Sequence, residues 1–182
     1  KLNPHLFKNI LNSIQSHAYQ TYFALDKLAN VLDYILYESK KKFVTAKEEI
    51  DFALNLIEIN KIKISPLFEL KVKKNINEED KLYEQPLLAP LISIDLIENA
   101  FKHGGINNNN LKIKINCKVT NNKMLDFEIL NNFVISQNLN SKGGIGLANT
   151  KKRLKLIYKN DFSLKNTIKL NYYIIRLQIP LN

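Results

Sequence analysis

The chain has 182 residues and a formal net charge of +10, with 45% hydrophobic and 24% charged residues. This balance is typical of a globular protein with a core, so it excludes general disorder, and the length limits the chain to one or two domains. The longest apolar stretch, Pro86 to Leu96, is interrupted by polar residues and is too short to cross a bilayer. The single cysteine, Cys117, excludes an internal disulfide, so we expect a reducing, cytosolic setting.

The beginning of the chain predicts a helical hairpin. Apolar residues recur at intervals of three, four or seven over residues 2–38, which predicts one long helix. The segment Thr45-Ala46-Lys47-Glu48 is a capping box and predicts the start of a second helix. The chain starts at Lys1 within the apolar pattern, so we expect it to be a piece of a longer protein.

From about residue 67 the pattern changes to a mixture of strands and helices. Apolar and polar residues alternate, as they do in half-buried strands, over Phe68–Val72, Leu111–Val119, Leu125–Leu130 and Tyr172–Ile179. Helices are predicted at Pro90–His103 and Leu147–Tyr158. We therefore predict an α+β protein with two domains, residues 1–65 and 66–182.

The helix predicted at Pro90–His103 separates its side chains into two faces. Ile94, Ile97 and Phe101 share one face, which we expect to pack against the core. The opposite face carries an acid, an amide, an ammonium group and an imidazole, namely Asp95, Asn99, Lys102 and His103. This polar face is either a ligand site or the solvated side of a surface helix.

Glycine is confined to the surroundings of the two later helices. The chain has five glycines, at positions 104, 105, 143, 144 and 146. Glycine lets the backbone approach a phosphate, and a helix N-terminus supplies free N–H groups beside a positive dipole end. The concentration of glycine favours ligand approach over turns of purely geometric purpose.

The basic charge alone would favour a polyanion as partner. The basic residues are mostly lysines spread along the chain, whereas recognition of bases and phosphates favours arginine, which is nearly absent. We therefore expect no nucleic-acid partner.

Three motifs occur in a fixed order along the chain. They are Asn3-Pro-His-Leu-Phe-Lys-Asn9, Glu98-Asn-Ala-Phe-Lys-His-Gly104 and Gly144-Ile-Gly-Leu-Ala-Asn149, the last followed by Arg153-Leu154 and Tyr158. Together they resemble the LytS/YehU-type sensor histidine kinases, and the similarity runs from residue 3 to the C-terminus. The resemblance implies a dimerising helical hairpin that carries the phosphoacceptor histidine, followed by an α/β sandwich of the histidine-kinase/gyrase ATPase type.

The resemblance also implies the site. His5 would accept the γ-phosphoryl group of ATP, and Glu98 would orient or deprotonate His5 or support the metal shell. The remaining roles concern the nucleotide: Asn99 would bind Mg²⁺, Lys102 and His103 would face the phosphates, Asn131 would contact adenine, and the lid and following helix would contribute Gly144, Gly146, Leu147 and Asn149. Asn149 and Arg153 would either anchor that helix or touch the nucleotide.

The sequence departs from the family pattern at several positions. Asn131 stands where the family usually has an aspartate that accepts the adenine amino hydrogen, and Phe133 stands in place of a glycine. An amide acceptor without charge weakens such a hydrogen bond. Ile94 and Asp95 occupy the positions of an expected glutamine and proline. The alternative function is therefore a degenerate, kinase-like dimerisation or scaffold module with weak or no nucleotide binding.

The resemblance implies partners and a location as well. We expect a homodimer, because a two-helix hairpin with apolar stripes buries them better in a four-helix bundle. A response regulator is the expected acceptor of the phosphoryl group. The expected location is the cytoplasmic side of a full-length protein anchored in the plasma membrane.

Overall fold

A computed structural model describes residues 4–62, 69–75, 79–103, 112–120, 122–132, 145–169 and 172–181. Its helices are α1 (Pro4–Leu36), α2 (Ala46–Lys61), α3 (Ile94–His103) and α4 (Ile145–Tyr158), with short 3₁₀ turns at Glu38–Lys40 and Lys81–Glu84. Its strands are β1 (Val44–Thr45), β2 (Glu69–Asn75), β3 (Pro86–Leu88), β4 (Lys112–Val119), β5 (Met124–Asn132), β6 (Ser163–Lys169) and β7 (Tyr172–Pro180).

The predicted helical hairpin is present. Helix α1 follows the long apolar pattern, and α2 begins at the predicted capping box, in which Glu48 N donates to Thr45 Oγ1 at 3.0 Å and Thr45 N donates to Glu48 Oε2 at 2.7 Å. The two helices pack where α1 ends, and the rings of Tyr34 and Phe52 stack there with centroids 4.5 Å apart.

The main sheet has five strands in the order β2-β4-β5-β7-β6. Strands β2 and β4 pair in parallel, and the other neighbours pair antiparallel. The four predicted strands correspond to β2, β4, β5 and β7. The short β1 and β3 pair with each other in a separate sheet and, like β6, were not predicted.

The fold has two layers. One face of the sheet is apolar and packs under the helices, with Phe127, Ile129 and Ile175 buried in the same cluster as Ile97 and Phe101 of α3. Its other face carries mostly polar and charged side chains, together with Leu130, Tyr172 and Ile174. A mixed sheet with helices on one face confirms the predicted α+β class.

The core continues across the predicted domain boundary. Strand β1 pairs with β3, and α2 packs against α3, so α2 belongs to the same buried cluster as the sheet. The division at residues 65 and 66 stays a prediction about domain organisation. None of the described helices is both long and apolar enough to span a membrane.

Candidate functional site

Helix α3 has the two faces that the sequence predicts. Ile97 and Phe101 are buried and Ile94 packs against the core, whereas Glu98 is exposed and Asn99 is half-buried. The backbones of Lys102 and His103 form the last residues of α3, but their side chains lie outside the described residues.

Helix α3 begins at Ile94, four residues after the predicted start at Pro90. Leu91 lies in the left-handed region with φ 59°, which a leucine adopts at a cost of about 1–3 kcal/mol. Continuous helix through residue 91 is therefore excluded. The segment that leads into α3 must be held in place by its surroundings.

The carboxylate of Glu49 holds this segment. Its side chain is 2% exposed, and it accepts hydrogen bonds from Leu91 N at 2.9 Å, from Ser93 N at 2.8 Å and from Ser93 Oγ at 2.6 Å. Tyr34 Oη of α1 donates to the same carboxylate at 2.5 Å. One buried acid on α2 thus connects α1 with the start of α3.

The ionisation of this cluster follows from its burial. Burial raises the pKa of Glu49, although the hydrogen bonds from Ser93, Tyr34 and Leu91 act in the opposite direction. Burial and the nearby Glu49 carboxylate also raise the pKa of Tyr34. The tyrosine hydroxyl therefore stays protonated and remains a donor.

Helices α3 and α4 are tied together side by side. The Thr150 hydroxyl of α4 donates to the carboxylate of Asp95, and the Arg153 guanidinium donates to the carbonyl oxygen of Leu91. From the contact of Thr150 with Asp95 to that of Arg153 with Leu91, residue numbers rise along α4 but fall along the segment that contains Leu91 and the start of α3. The two segments therefore run antiparallel. Because residues four apart share a helix face, Asn99 lies level with the first turn of α4, which contains Gly146.

These contacts between α3 and α4 explain the roles of two residues, Asp95 and Arg153, which the resemblance to the family did not determine. Asp95, which departs from that pattern, bonds to α4 and so is part of the packing between the two helices. Of the two roles left open for Arg153, the contact with Leu91 supports the anchoring of α4.

Asn131 lies at the end of β5 and is 1% exposed. It shares the helix-facing side of the strand with Phe127 and Ile129, and α3 packs on that strand. The predicted adenine-contacting amide is therefore in the layer directly beneath α3.

The other predicted site residues fall in several places. His5 is exposed in the first turn of α1, whose far end is joined to α3 through α2. Leu147 is half-buried against the core, and Asn149 is exposed on α4. Gly144, with the lid segment that contains Phe133, lies outside the described residues.

Sequence reasoning did not single out Glu49. A signal was present, since positions 49, 53 and 57 are spaced as one face of a helix and an acid there falls on the apolar stripe that includes Ala53 and Ile57. An acid on a buried face needs hydrogen-bond donors, but its partners lie far along the chain at residues 91 and 93.

A groove of about 740 Å³ lies between α1 and α2. Its lining includes Asp33, Glu38, Glu48 and Asp51. Because these four carboxylates face one lysine, Lys27, the lining would repel a nucleoside triphosphate, and the groove is a poor candidate for the nucleotide site.

A sequence model of the histidine kinase family matches residues 1–68, and no curated protein matches the chain significantly. The histidine kinase domain of the blue-light activated kinase EL346 from Erythrobacter litoralis is 13% identical, with 100% of this chain and 89% of that chain covered and a TM-score of 0.53. The nucleotide-free catalytic domain of histidine kinase ThkA is 19% identical, with coverage of 75% and 95% and a TM-score of 0.54.

At these identities the structural likeness shows the fold, and the fold is that of histidine kinase domains. The family match covers the part of the chain that contains α1 and α2. The similarity to histidine kinases therefore rests on sequence over residues 1–68 and on the fold over the rest of the chain.

We predict that Glu49→Ala lowers the free energy of unfolding by about 3–5 kcal/mol, because it leaves several buried donors without an acceptor. Urea denaturation followed by circular dichroism measures the loss. Glu58→Ala on the same helix is the control, since Glu58 bonds only to Lys61 at the surface among the contacts described, and it should change stability by less than about 0.5 kcal/mol. Equal effects of the two substitutions would contradict the assignment.

Proposed function

We propose that this chain is the cytoplasmic transmitter part of a two-component sensor histidine kinase of the LytS/YehU type. The observation that carries the proposal is the tie between α3 and α4, which brings Asn99 level with Gly146 above the buried Asn131. Asn99 and Gly146 belong to two of the motifs that carry the resemblance, and Asn131 stands at the position of the family's adenine-contacting aspartate, so the three residues come from separate segments of the chain.

The substrate ATP would lie between α3 and the first turn of α4. That turn contains no acidic residue, and its free N–H groups and positive dipole end suit a phosphate. Gly146 would allow a phosphate oxygen to approach the backbone closely, and Gly144, Leu147 and Asn149 would complete this side. Asn131 would accept the adenine amino hydrogen, and Lys102 and His103 would neutralise phosphate charge.

Asn99 fits a magnesium ion by the chemistry of its amide oxygen. Mg²⁺ takes hard oxygen ligands and usually has few protein ligands in nucleotide sites, where phosphates and water complete its shell. The described residues hold no cluster of three or more acidic, histidine or cysteine side chains. When bound, the ion would neutralise charge that develops on the phosphates.

His5 would be the phosphoacceptor. A lone pair on an imidazole nitrogen would form the bond to the γ-phosphorus while the bond from that phosphorus to the β–γ bridging oxygen breaks and ADP leaves. Glu98 is exposed on α3 and would orient His5 or remove its ring proton. The phosphoryl group would then pass to an aspartate carboxylate of a response regulator.

Helix α1 supports a dimer. Apolar side chains follow a heptad pattern along this helix and are exposed in the single chain. They are Phe7, Leu11, Ile14, Leu25, Leu28 and Leu32. A second copy of α1 and α2 would cover this stripe in a four-helix bundle. The full-length protein would be anchored in the plasma membrane, with this part on the cytoplasmic side.

We predict that incubation with γ-labelled ATP and Mg²⁺ gives acid-labile, alkali-stable label on the protein and that His5→Ala abolishes it. His17→Ala is the matched control, because His17 lies on the same helix and has no proposed role. Labelling of the His5→Ala protein at the wild-type level would refute the assignment of the phosphoacceptor.

Asn131→Asp should tighten binding of a non-hydrolysable ATP analogue roughly tenfold, because a carboxylate makes a charge-assisted hydrogen bond of about 1.5–3 kcal/mol to the adenine amino group. Isothermal titration calorimetry measures this change. Asn166→Asp, at an exposed position on β6, controls for the change in net charge and should leave the affinity unchanged. Unchanged affinity in Asn131→Asp would place the adenine elsewhere.

The double substitution Ile14→Glu with Leu25→Glu should shift the protein from dimer to monomer in sedimentation velocity. Both side chains are 60% exposed in the single chain and belong to the apolar stripe, so each charge would be buried in a dimer. Ser16→Glu with Tyr19→Glu places the same charges outside the stripe on α1 and should leave the dimer intact. A wild-type protein that is monomeric at all concentrations tested would contradict the proposal.

A further inference from the structure

The outward face of the five-stranded sheet is basic. Side chains of paired residues point to the same side, and the outward set includes Lys71 and Lys73 of β2, Lys114 and Lys118 of β4, and Lys165 and Lys169 of β6. All six are exposed. We call this set, with the outward residues of β5 and β7 between them, the basic sheet face.

The acidic side chains described on this face are engaged within it. Asp126 is 2% exposed, accepts a hydrogen bond from Arg176 Nε at 2.9 Å and lies 3.7 Å from Lys118 Nζ. Burial would raise the pKa of Asp126, but the hydrogen bonds and charge of Arg176 hold it below the usual range. Glu128 accepts a hydrogen bond from Asn116 at 3.1 Å.

The lysines therefore form two rows on either side of a neutralised centre. Strands β2 and β6 are four strand spacings apart, so the rows on the two edges are separated by about 19 Å. Lysines on an edge strand discourage pairing with another chain, which accounts for those on β2 and β6. On the interior strand β4, Lys118 is accounted for by its ion pair with Asp126, whereas neither this pair nor protection of an edge accounts for Lys114.

We propose that the basic sheet face docks on a membrane surface that contains anionic lipids. An array of exposed ammonium groups along one sheet face complements the negative headgroups of a membrane surface, and each lysine near that surface contributes about fivefold in affinity. The proposal concerns a surface remote from the nucleotide site, and it does not depend on the kinase chemistry.

Two other kinds of partner fit the face less well. A protein interface is anchored by aromatic or apolar side chains that become buried at its centre. Those on this face include Leu130, Ile174 and Tyr172, which are already half-buried in the chain alone, and the ion pair of Asp126 and Arg176 lies on the same two strands. A nucleic acid would favour arginine clamps, and Arg176, the arginine described on this face, is already bound to Asp126 through two nitrogens.

The test is sedimentation of the full chain with vesicles of phosphatidylcholine alone or of phosphatidylcholine and phosphatidylserine in a three-to-one ratio. We expect binding to the anionic vesicles only, weakened by salt. The triple substitution Lys71→Glu, Lys73→Glu and Lys114→Glu should reduce this binding roughly a hundredfold or more.

The matched control is Lys151→Glu, Lys152→Glu and Lys155→Glu on α4, which changes the net charge equally on another surface. It should retain most of the binding, and circular dichroism checks that both proteins are folded. If the first triple variant fails to fold, Lys165→Glu with Lys169→Glu tests the opposite edge against Lys151→Glu with Lys152→Glu.

Three results would overturn the proposal. They are absence of binding to anionic vesicles, equal loss of binding in the face and control variants, and tighter binding to duplex DNA through the same lysines. The last result would assign the face to a nucleic acid.

Discussion

The arrangement of this molecule depends on one buried carboxylate. Glu49 accepts hydrogen bonds from α1, through Tyr34, and from the backbone that leads into α3, at Leu91 and Ser93. A buried acid is costly unless its oxygens are fully bonded, so its donors must be held in place. This requirement fixes the position of α3, on which Glu98 and Asn99 lie, relative to the hairpin.

The same segment also fixes α4. Leu91 presents its N–H to Glu49 and its carbonyl oxygen to Arg153, so its left-handed backbone is held from both sides. Tyr158, further along α4, accepts a hydrogen bond from Ala89 N at 2.7 Å. The short stretch from Ala89 to Ser93 therefore joins the hairpin to both helices of the candidate nucleotide site, and a displacement of α1 can reach that site through it.

Local signals determined which parts of the fold could be predicted. The capping box at Thr45 depends on residues three apart, and the two faces of α3 depend on spacing within one helix, so both were accessible from sequence. The start of α3 could not be predicted from local sequence, because the backbone break at Leu91 is held by Glu49, which lies far away in sequence. Strand β6 was missed because most of its side chains are exposed, which removes the alternation that marks a half-buried strand.

The parallel pairing of β2 with β4 has a consequence for how the chain folds. Parallel neighbours cannot be joined by a tight turn, and here the connection from Asn75 to Lys112 carries β3 and the whole of α3. The antiparallel hairpin of β4 and β5 closes through a short turn at Asn122 and Lys123 and can form early. The pairing of β2 with β4 and that of β7 with β5 both need a long loop to close first, so the β4–β5 hairpin is the part of the sheet from which pairing can spread to both sides.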